Sequence, residues 1–274
     1  MTTTLRPTEP LQLADDGTLS RRYQVCVNSR PVGAVHLATS PELGPAFAKI
    51  HDLRIEEADR GRGRGTVAAL AAEEVARGWG CRQIEVTVPG DAPRALGLTR
   101  ALGYVLRNRA MEKDLDGTVP ALPPGSAERP MNRAEYEVWD RTGRQEYAED
   151  WVKRGLPESE ARTKADRDFG RALPQGPDTD GARLTVLEHE GVPVGELWLG
   201  HRDERAFVYD VAVREAHRGH GHGRTLMLLA EAQAAAAGFR RLTLNVFAGN
   251  LPAERLYESL GYAVTEAHLY KDLL

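Results

Sequence analysis

The sequence predicts a mixed α/β fold built twice in tandem, on three observations. The segment Asp210-Val-Ala-Val-Arg-Glu-Ala-His-Arg-Gly-His-Gly-His-Gly223 repeats Asp52-Leu-Arg-Ile-Glu-Glu-Ala-Asp-Arg-Gly-Arg-Gly-Arg-Gly65 at a constant offset of 158 residues. That register continues without a gap through Gly80 and Gly238, Arg82 and Arg240, and Leu102-Gly103-Tyr104 and Leu260-Gly261-Tyr262. Each half also gives one order of elements: antiparallel strands, a glycine cluster, a helix, a strand, a helix and a last strand. Agreement of this kind over one register marks a duplication, and strands that lead into strand–helix–strand units make a mixed sheet.

In the C-terminal half, Arg183–Glu190 and Val192–Gly200 are apolar-rich runs around a Glu-Gly turn, the signal of a hairpin. Ala206–Val213 reads as a third strand. After the glycines, Thr225–Ala237 carries no breaker until Gly238 and predicts a helix with its stop. A strand at 242–247, a helix at 251–260 ended by Gly261 and a strand near 268–274 complete the copy. The N-terminal half gives strands at 23–27, 32–38 and 48–55, a helix at 66–78, a strand at 84–88, a helix at 92–102 and a strand at 104–114. Pro31-Val32-Gly33 matches Pro193-Val194-Gly195 at an offset of 162, so a four-residue length difference lies between the motifs. The run Gly117-Thr-Val-Pro-Ala-Leu-Pro-Pro-Gly-Ser126 has linker composition. The expected domains are therefore 1–117 and 130–274, joined by a linker at 118–129.

Composition bounds the partners. Of 274 residues 41% are apolar, enough to fill two cores, and the net charge of −4 gives no overall pull toward nucleic acid or an anionic membrane. Cys26 and Cys81 lie far apart without metal-ligand spacing and read as reduced thiols. No apolar run approaches the roughly 20 residues of a membrane span, and the opening MTTTLRPTEPLQLADD lacks the apolar stretch of a signal peptide. The expectation is a cytoplasmic protein with no nucleic-acid or membrane partner.

The glycine cluster Arg218-Gly-His-Gly-His-Gly-Arg224 falls between a strand and a helix. Glycines there allow a sharp turn and close approach of backbone to a ligand. The following helix aims unpaired N–H groups and its positive dipole end at the same space, which suits a pyrophosphate, and the arginines add charge-assisted bonds. The pattern is neither G-x-x-x-x-G-K-[ST] nor G-x-G-x-x-G, and the strands before it read as a meander, which argues against nucleotide and dinucleotide folds. A bare turn without a ligand is the plain alternative, weakened by two copies in equivalent places.

Arg218-x-x-Gly221-x-Gly223 after Val211-Ala212-Val213 resembles the acyl-CoA signature of the GNAT superfamily of N-acetyltransferases. Asn250-Leu-Pro-Ala253-Glu-Arg-Leu256-Tyr257-Glu-Ser-Leu-Gly261-Tyr262 is similar to that superfamily's second motif, and the two occur in the same order. The resemblance implies two tandem GNAT-like domains, each a mixed sheet whose fourth and fifth strands splay around a pantetheine arm. It implies acetyl-CoA as the cosubstrate and an amine as acceptor. Val211, Ala212 and Val213 would meet the arm, Arg218, Gly219, His220, Gly221, His222, Gly223 and Arg224 the pyrophosphate, and Asn250 the cysteamine end. Leu53, Ile55, Arg60, Gly61, Arg62, Gly63, Arg64, Gly65 and Thr66 are the matching positions of the N-terminal copy.

Acyl transfer from a thioester requires an amine stripped of its proton, a held oxyanion and a protonated leaving thiolate. Tyr257 matches the superfamily's tyrosine for the last task; packing of its ring on the sheet is the plain alternative. Glu196 is the first choice of general base, with Asp210 and Tyr209 as alternatives. Strand alternation places Tyr209 with Val211 and Val213 on one face and Asp210 on the other. The oxyanion is expected to meet a backbone N–H of the fourth strand. The N-terminal copy has Thr99, Ala92 and Ala34 where the C-terminal copy has Tyr257, Asn250 and Glu196, which predicts a non-catalytic copy.

The C-terminal copy alone carries an extra stretch before its hairpin, with amphipathic helices expected at 141–156 and 158–173. In the superfamily this region walls the acceptor. Arg144-Gln-Glu-Tyr-Ala-Glu-Asp150 resembles its first-helix segment, and Tyr147 and Asp150, three apart, share a helix face that could meet the acceptor; an ordinary polar surface is the equal alternative. His220 and His222 fall opposite Arg62 and Arg64, which favours phosphate-side contacts over metal ligation, and no metal is expected. The whole reads as a monomer with pseudo-dimeric domains. A longer acyl-CoA donor, or a non-catalytic acyl-CoA sensor, are the competing readings.

Overall fold

The structure, a computed structural model, describes residues 2–273. Along the chain run β1 (Thr3–Pro7), β2 (Gln12–Leu13), β3 (Leu19–Val27), β4 (Arg30–Ser40), β5 (Gly44–Ile55), α1 (Arg64–Gly78), β6 (Gln83–Pro89), α2 (Pro93–Ala101) and β7 (Val105–Asp114). Then come β8 (Ser126–Pro130), α3 (Arg133–Val152), α4 (Glu158–Ala172), β9 (Arg183–His189), β10 (Val192–Arg202), β11 (Arg205–Val213), α5 (His222–Ala236), β12 (Arg241–Phe247), α6 (Leu251–Ser259) and β13 (Ala263–Asp272). Mixed sheets with helices follow the predicted order in both halves.

Several boundaries differ for physical reasons. α1 and α5 begin at Arg64 and His222, inside the glycine clusters, because Gly63 and Gly221 take φ of 73° and 84° and cap the first turn themselves. α3 starts eight residues before the expected position. Asn132 accepts from the Glu135 amide at 3.0 Å while the Glu135 carboxylate accepts from the Asn132 amide at 2.9 Å, a capping box that starts the helix early. The run read as linker ends in β8, which pairs antiparallel with β9 from Ser126–His189 to Pro130–Thr185.

The chain divides into two compact units that do not coincide with the sequence halves. One runs through Arg109 and resumes at Thr265; the other is Ala110–Val264. The last strand of each repeat thus begins in its own unit and ends in the other. In the first unit the strand order is β1-β3-β4-β5-β6-β13, with β2 on β3. β13 lies antiparallel to β6, from Glu266–Pro89 to Asp272–Gln83. Val25, Val35, Leu37, Ala48, Ile50 and Ile84 pack there on Ala68, Ala72 and Ala76 of α1, with Leu269 from β13. In the second unit the order is β8-β9-β10-β11-β12-β7. Leu197, Val208, Leu242 and Leu244 pack on Leu226, Met227 and Ala230 of α5, and β7 contributes Met111. α3 and α4 cover the other sheet face through Trp139, Phe169, Leu184, Val186 and Trp198.

Each exchanged strand carries a lysine to a buried glutamate. In the first unit Lys271 reaches Glu73 at 2.7 Å beside the Tyr104 ring. In the second, Lys113 reaches Glu231 at 2.8 Å beside the Tyr262 ring. The three positions match at the offset of 158.

Candidate active site

In the second unit β11 and β12 run parallel only from Ala206–Leu242 to Val208–Leu244, after which the ladder ends. β11 continues to Val213 with β10 alone as its partner: Leu197 faces Val211, Glu196 faces Ala212 and Gly195 faces Val213. The backbone of 209–213 is therefore paired on one side only. The three apolar residues expected to meet a pantetheine arm sit here, with Val211 and Val213 packed toward α5.

Immediately beyond lies the glycine turn. Gly219 and Gly221 take φ of 81° and 84°, a region side chains disfavour. A Cβ on Gly223 would meet Leu256 at 3.4 Å and Val213 at 3.8 Å, ordinary contact distances that place the turn against α6. Arg218 donates from Nε to the Val213 carbonyl at 3.3 Å, and Arg224 donates to Ser259 at 2.6 Å. The α5 N-terminus opens at His222. Free turn amides and a helix dipole end beside two half-paired strands fit a diphosphate on an extended arm.

The first unit repeats this geometry. β5 and β6 pair from Phe47–Gln83 to Ile50–Val86 and then part, leaving Leu53 and Ile55 beyond the ladder. Gly61 and Gly63 each have φ of 73°. Arg60 donates to the Ile55 carbonyl at 2.8 Å, the counterpart of Arg218. Arg62 is exposed, whereas Arg64 is 7% exposed and pairs with Asp59. Gly65 lies under Leu98, as Gly223 lies under Leu256, and Thr66 is in the first turn of α1. Thr99 donates inward to the Leu96 carbonyl at 3.0 Å.

The reacting groups expected in the second unit come together on β10, β11 and α6, with one correction. Trp198 faces Asp210, but Leu199 faces Val208, so Tyr209 is an extra residue and β11 bulges. Simple alternation fails at that point. Tyr209 stacks on Trp198 with centroids 4.4 Å apart, on the α3 side of the sheet, where Asp210 also lies, rather than with Val211 and Val213. Trp139 of α3 donates from Nε1 to Asp210 at 3.2 Å. Burial lifts the Asp210 carboxyl to about 6; the Trp139 bond opposes this, and the charges of Glu146 and Glu196 add to it. Tyr257 is pushed up to about 12, by burial first and then by the Asp210 charge, so its phenol keeps its proton at neutral pH.

Glu196 is differently placed. Its Oε1 accepts from Arg214 Nε at 2.8 Å and is 2.7 Å from a second guanidinium nitrogen, so one of its two oxygens is held in a charge-assisted pair. Asn250 caps α6 by accepting from the Ala253 amide at 3.3 Å. Tyr147 donates to Asp168 at 3.0 Å and packs among Trp151, Phe169 and Phe247. Asp150 holds Lys153 at 3.2 Å. A cavity of about 650 Å³ between α3 and α4, lined by Arg141, Gln145, Val152, Arg162 and neighbours, includes neither Asp210 nor Tyr257.

Sequence reasoning missed Trp139, Glu146 and Trp198. Trp139 and Glu146 are seven apart on α3, hence on one face, a spacing open to inspection once α3 is extended to Asn132. Trp198 is 4% exposed and its Nε1 is buried without a hydrogen-bond partner. Among the described residues no group of three His, Cys, Asp or Glu side chains is placed to hold a metal ion. No described helix is long and apolar enough to cross a membrane.

The sequence model of the acetyltransferase (GNAT) family matches residues 3–104 and 142–262. The uncharacterized N-acetyltransferase YycN of Bacillus subtilis is 34% identical over 53% of this chain and 96% of its own length. The mycothiol acetyltransferase of Thermomonospora curvata is 30% identical over 84% of this chain and 74% of its own. Among solved structures, a GCN5-related N-acetyltransferase from Sphaerobacter thermophilus superposes with a TM-score of 0.59 at 18% identity, covering 92% of this chain and 80% of that one. A tandem GNAT protein from the clavulanic acid biosynthesis pathway gives 0.50 at 22% identity, over 96% and 85%.

Proposed function

The chain belongs to the acetyltransferase (GNAT) family and is an acyltransferase with two tandem domains of that fold; on this premise we propose that its second unit moves an acetyl group from acetyl-CoA to a primary amine. The observation that carries the reading is Asp210 beside Tyr257 at the parting of β11 and β12, next to the glycine turn. One group there takes up a proton near neutral pH and the other retains one.

The turn Gly219–Arg224 and the α5 N-terminus hold the diphosphate, and the half-paired 211–213 backbone receives the arm. When bound, the thioester supplies the activated acyl group. Asp210, desolvated and oriented by Trp139, takes the proton from the incoming ammonium, directly or through one water. Tyr257 gives its proton to the departing sulfur. Glu196, held by Arg214, is assigned the acceptor side in this reading, with the base role going to Asp210. Attack is direct, since both cysteines, Cys26 and Cys81, are buried and belong to the first unit. The first unit keeps the turn but has Thr99 for the acid and acts as a structural or acyl-CoA-occupied companion.

The test is release of free thiol from acetyl-CoA against a panel of polyamines, amino sugars, amino acids and peptides, using the full chain. Tyr257→Phe is expected to cut kcat about 10²- to 10⁴-fold with coenzyme A still bound. Turnover unchanged in that variant removes the acid assignment, and a panel with no turnover at all removes the enzyme reading of this site.

A further inference from the structure

The two units close their glycine turns in different ways. In the first, Arg64 at the start of α1 is buried against Asp59, which also accepts from both Arg30 nitrogens at 2.7 and 3.0 Å. At the matching positions, 158 residues on, the second unit has His222 and His217. An ion pair has been replaced by imidazoles. His222 is 9% exposed and its ring lies 5.2 Å from His189 of β9, 6.2 Å from His220 and 6.4 Å from His217, centroid to centroid. Among the described residues none hydrogen-bonds to the His222 ring, and Nδ1 of His189 is buried without a partner.

Burial, then the neighbouring His189, His220 and His217, hold the His222 ring below the usual histidine range. The other charged groups nearby offer little relief. Glu188 is taken by Arg129 at 2.7 Å. Glu190 and Glu215 are exposed, and Arg218 and Arg224 add positive charge. A diphosphate arriving at this turn would supply the missing negative charge, and by linkage the imidazoles would gain protons as it binds.

We propose that His189, His217, His220 and His222 form a proton-loading anion site, which binds the phosphates of coenzyme A together with protons taken onto the imidazoles. The second unit's grip on acyl-CoA then tightens as pH falls through the histidine range, while the arginine-closed turn of the first unit does not respond. This rests on the acyl-CoA reading of the turn and adds His189 and His217 to it.

Isothermal titration of the full chain with coenzyme A, near pH 6.5 in cacodylate and in Bis-Tris, reads the protons directly from the difference in enthalpy. About half a proton or more should be taken up per coenzyme A, and Kd should fall severalfold between about pH 7.5 and 6. His217→Asp/His222→Arg, which installs the first unit's ion pair, should abolish both the uptake and the pH dependence. Should that variant not fold, His189→Gln is expected to lower the uptake. Wild-type binding with equal enthalpies in the two buffers, or unchanged uptake in the variants, overturns the proposal while leaving the acyl-CoA reading intact. No binding of coenzyme A in any buffer overturns both.

Discussion

A carboxyl lifted to about 6 in the folded chain, from an ordinary value of 3.8, binds its proton more tightly folded than unfolded. Between those two values the folded state holds more protons, so the Asp210 contribution to stability declines as pH rises through that window and is fully lost above it. The site is therefore a source of instability at neutral pH. Asp210→Asn should raise stability at pH 7.5 by about 1–3 kcal/mol, and the gain should vanish below about pH 4. The same substitution should cut kcat about 10²- to 10⁴-fold and remove the acidic limb of the rate profile. Glu196→Gln should leave that limb in place. Denaturant titrations at both pH values and a pH–rate series check all three outcomes. If instead Glu196→Gln removes the limb, Glu196 is the base.

At the scale of the element, the strand that each repeat sends across carries one lysine into a buried ion pair. Lys113 of β7 is the hydrogen-bonded ion partner of Glu231, whose side chain is 5% exposed. Lys113→Met should destabilise the protein by about 3–5 kcal/mol, because it leaves a buried charge unpaired, and adding Glu231→Gln should recover part of the loss. Urea unfolding of the single and double variants measures both; additive losses would show that the pair is not coupled. Element type was legible in the chain for concrete reasons. Gly238 and Gly261 stop helices, and the Glu190-Gly191 turn joins a hairpin. Asn132-x-x-Glu135 was an equally readable start signal for α3 that linker-like surroundings obscured. The bulge at Tyr209 was not legible, since no local residue type demands it. It arises from the register between Trp198–Asp210 and Leu199–Val208, a property of two strands rather than one. For the same reason the sequence showed the glycine turns but not the choice between Glu196 and Asp210, which depends on where Arg214 and Trp139 reach.

For the whole molecule, the repeat predicted two halves of one fold but gave no sign of which unit each last strand would complete. β7 and β13 match each other, so either assignment satisfies the local pattern. The exchange makes a definite forecast for truncation. Residues 127–274 alone lack Met111, 1% exposed in the core, and Lys113, the partner of Glu231, wherever β13, which carries Leu269 and Lys271 at the matching positions, does not move into the place of β7. Losses of about 2–5 and 3–5 kcal/mol from these two sources approach a typical total stability of 5–15 kcal/mol. The fragment should lack a cooperative thermal transition, whereas the full chain should show one. A fragment that melts sharply and turns over acetyl-CoA would refute the forecast.

Duplication ordinarily leaves a spare copy that can decay or be deleted once its chemistry is gone. Here the copy with Thr99 at the place of Tyr257 still lends a strand to the other and takes one back. Neither copy can be shed without taking a strand from the other's sheet, so a requirement on either one is enough to keep both.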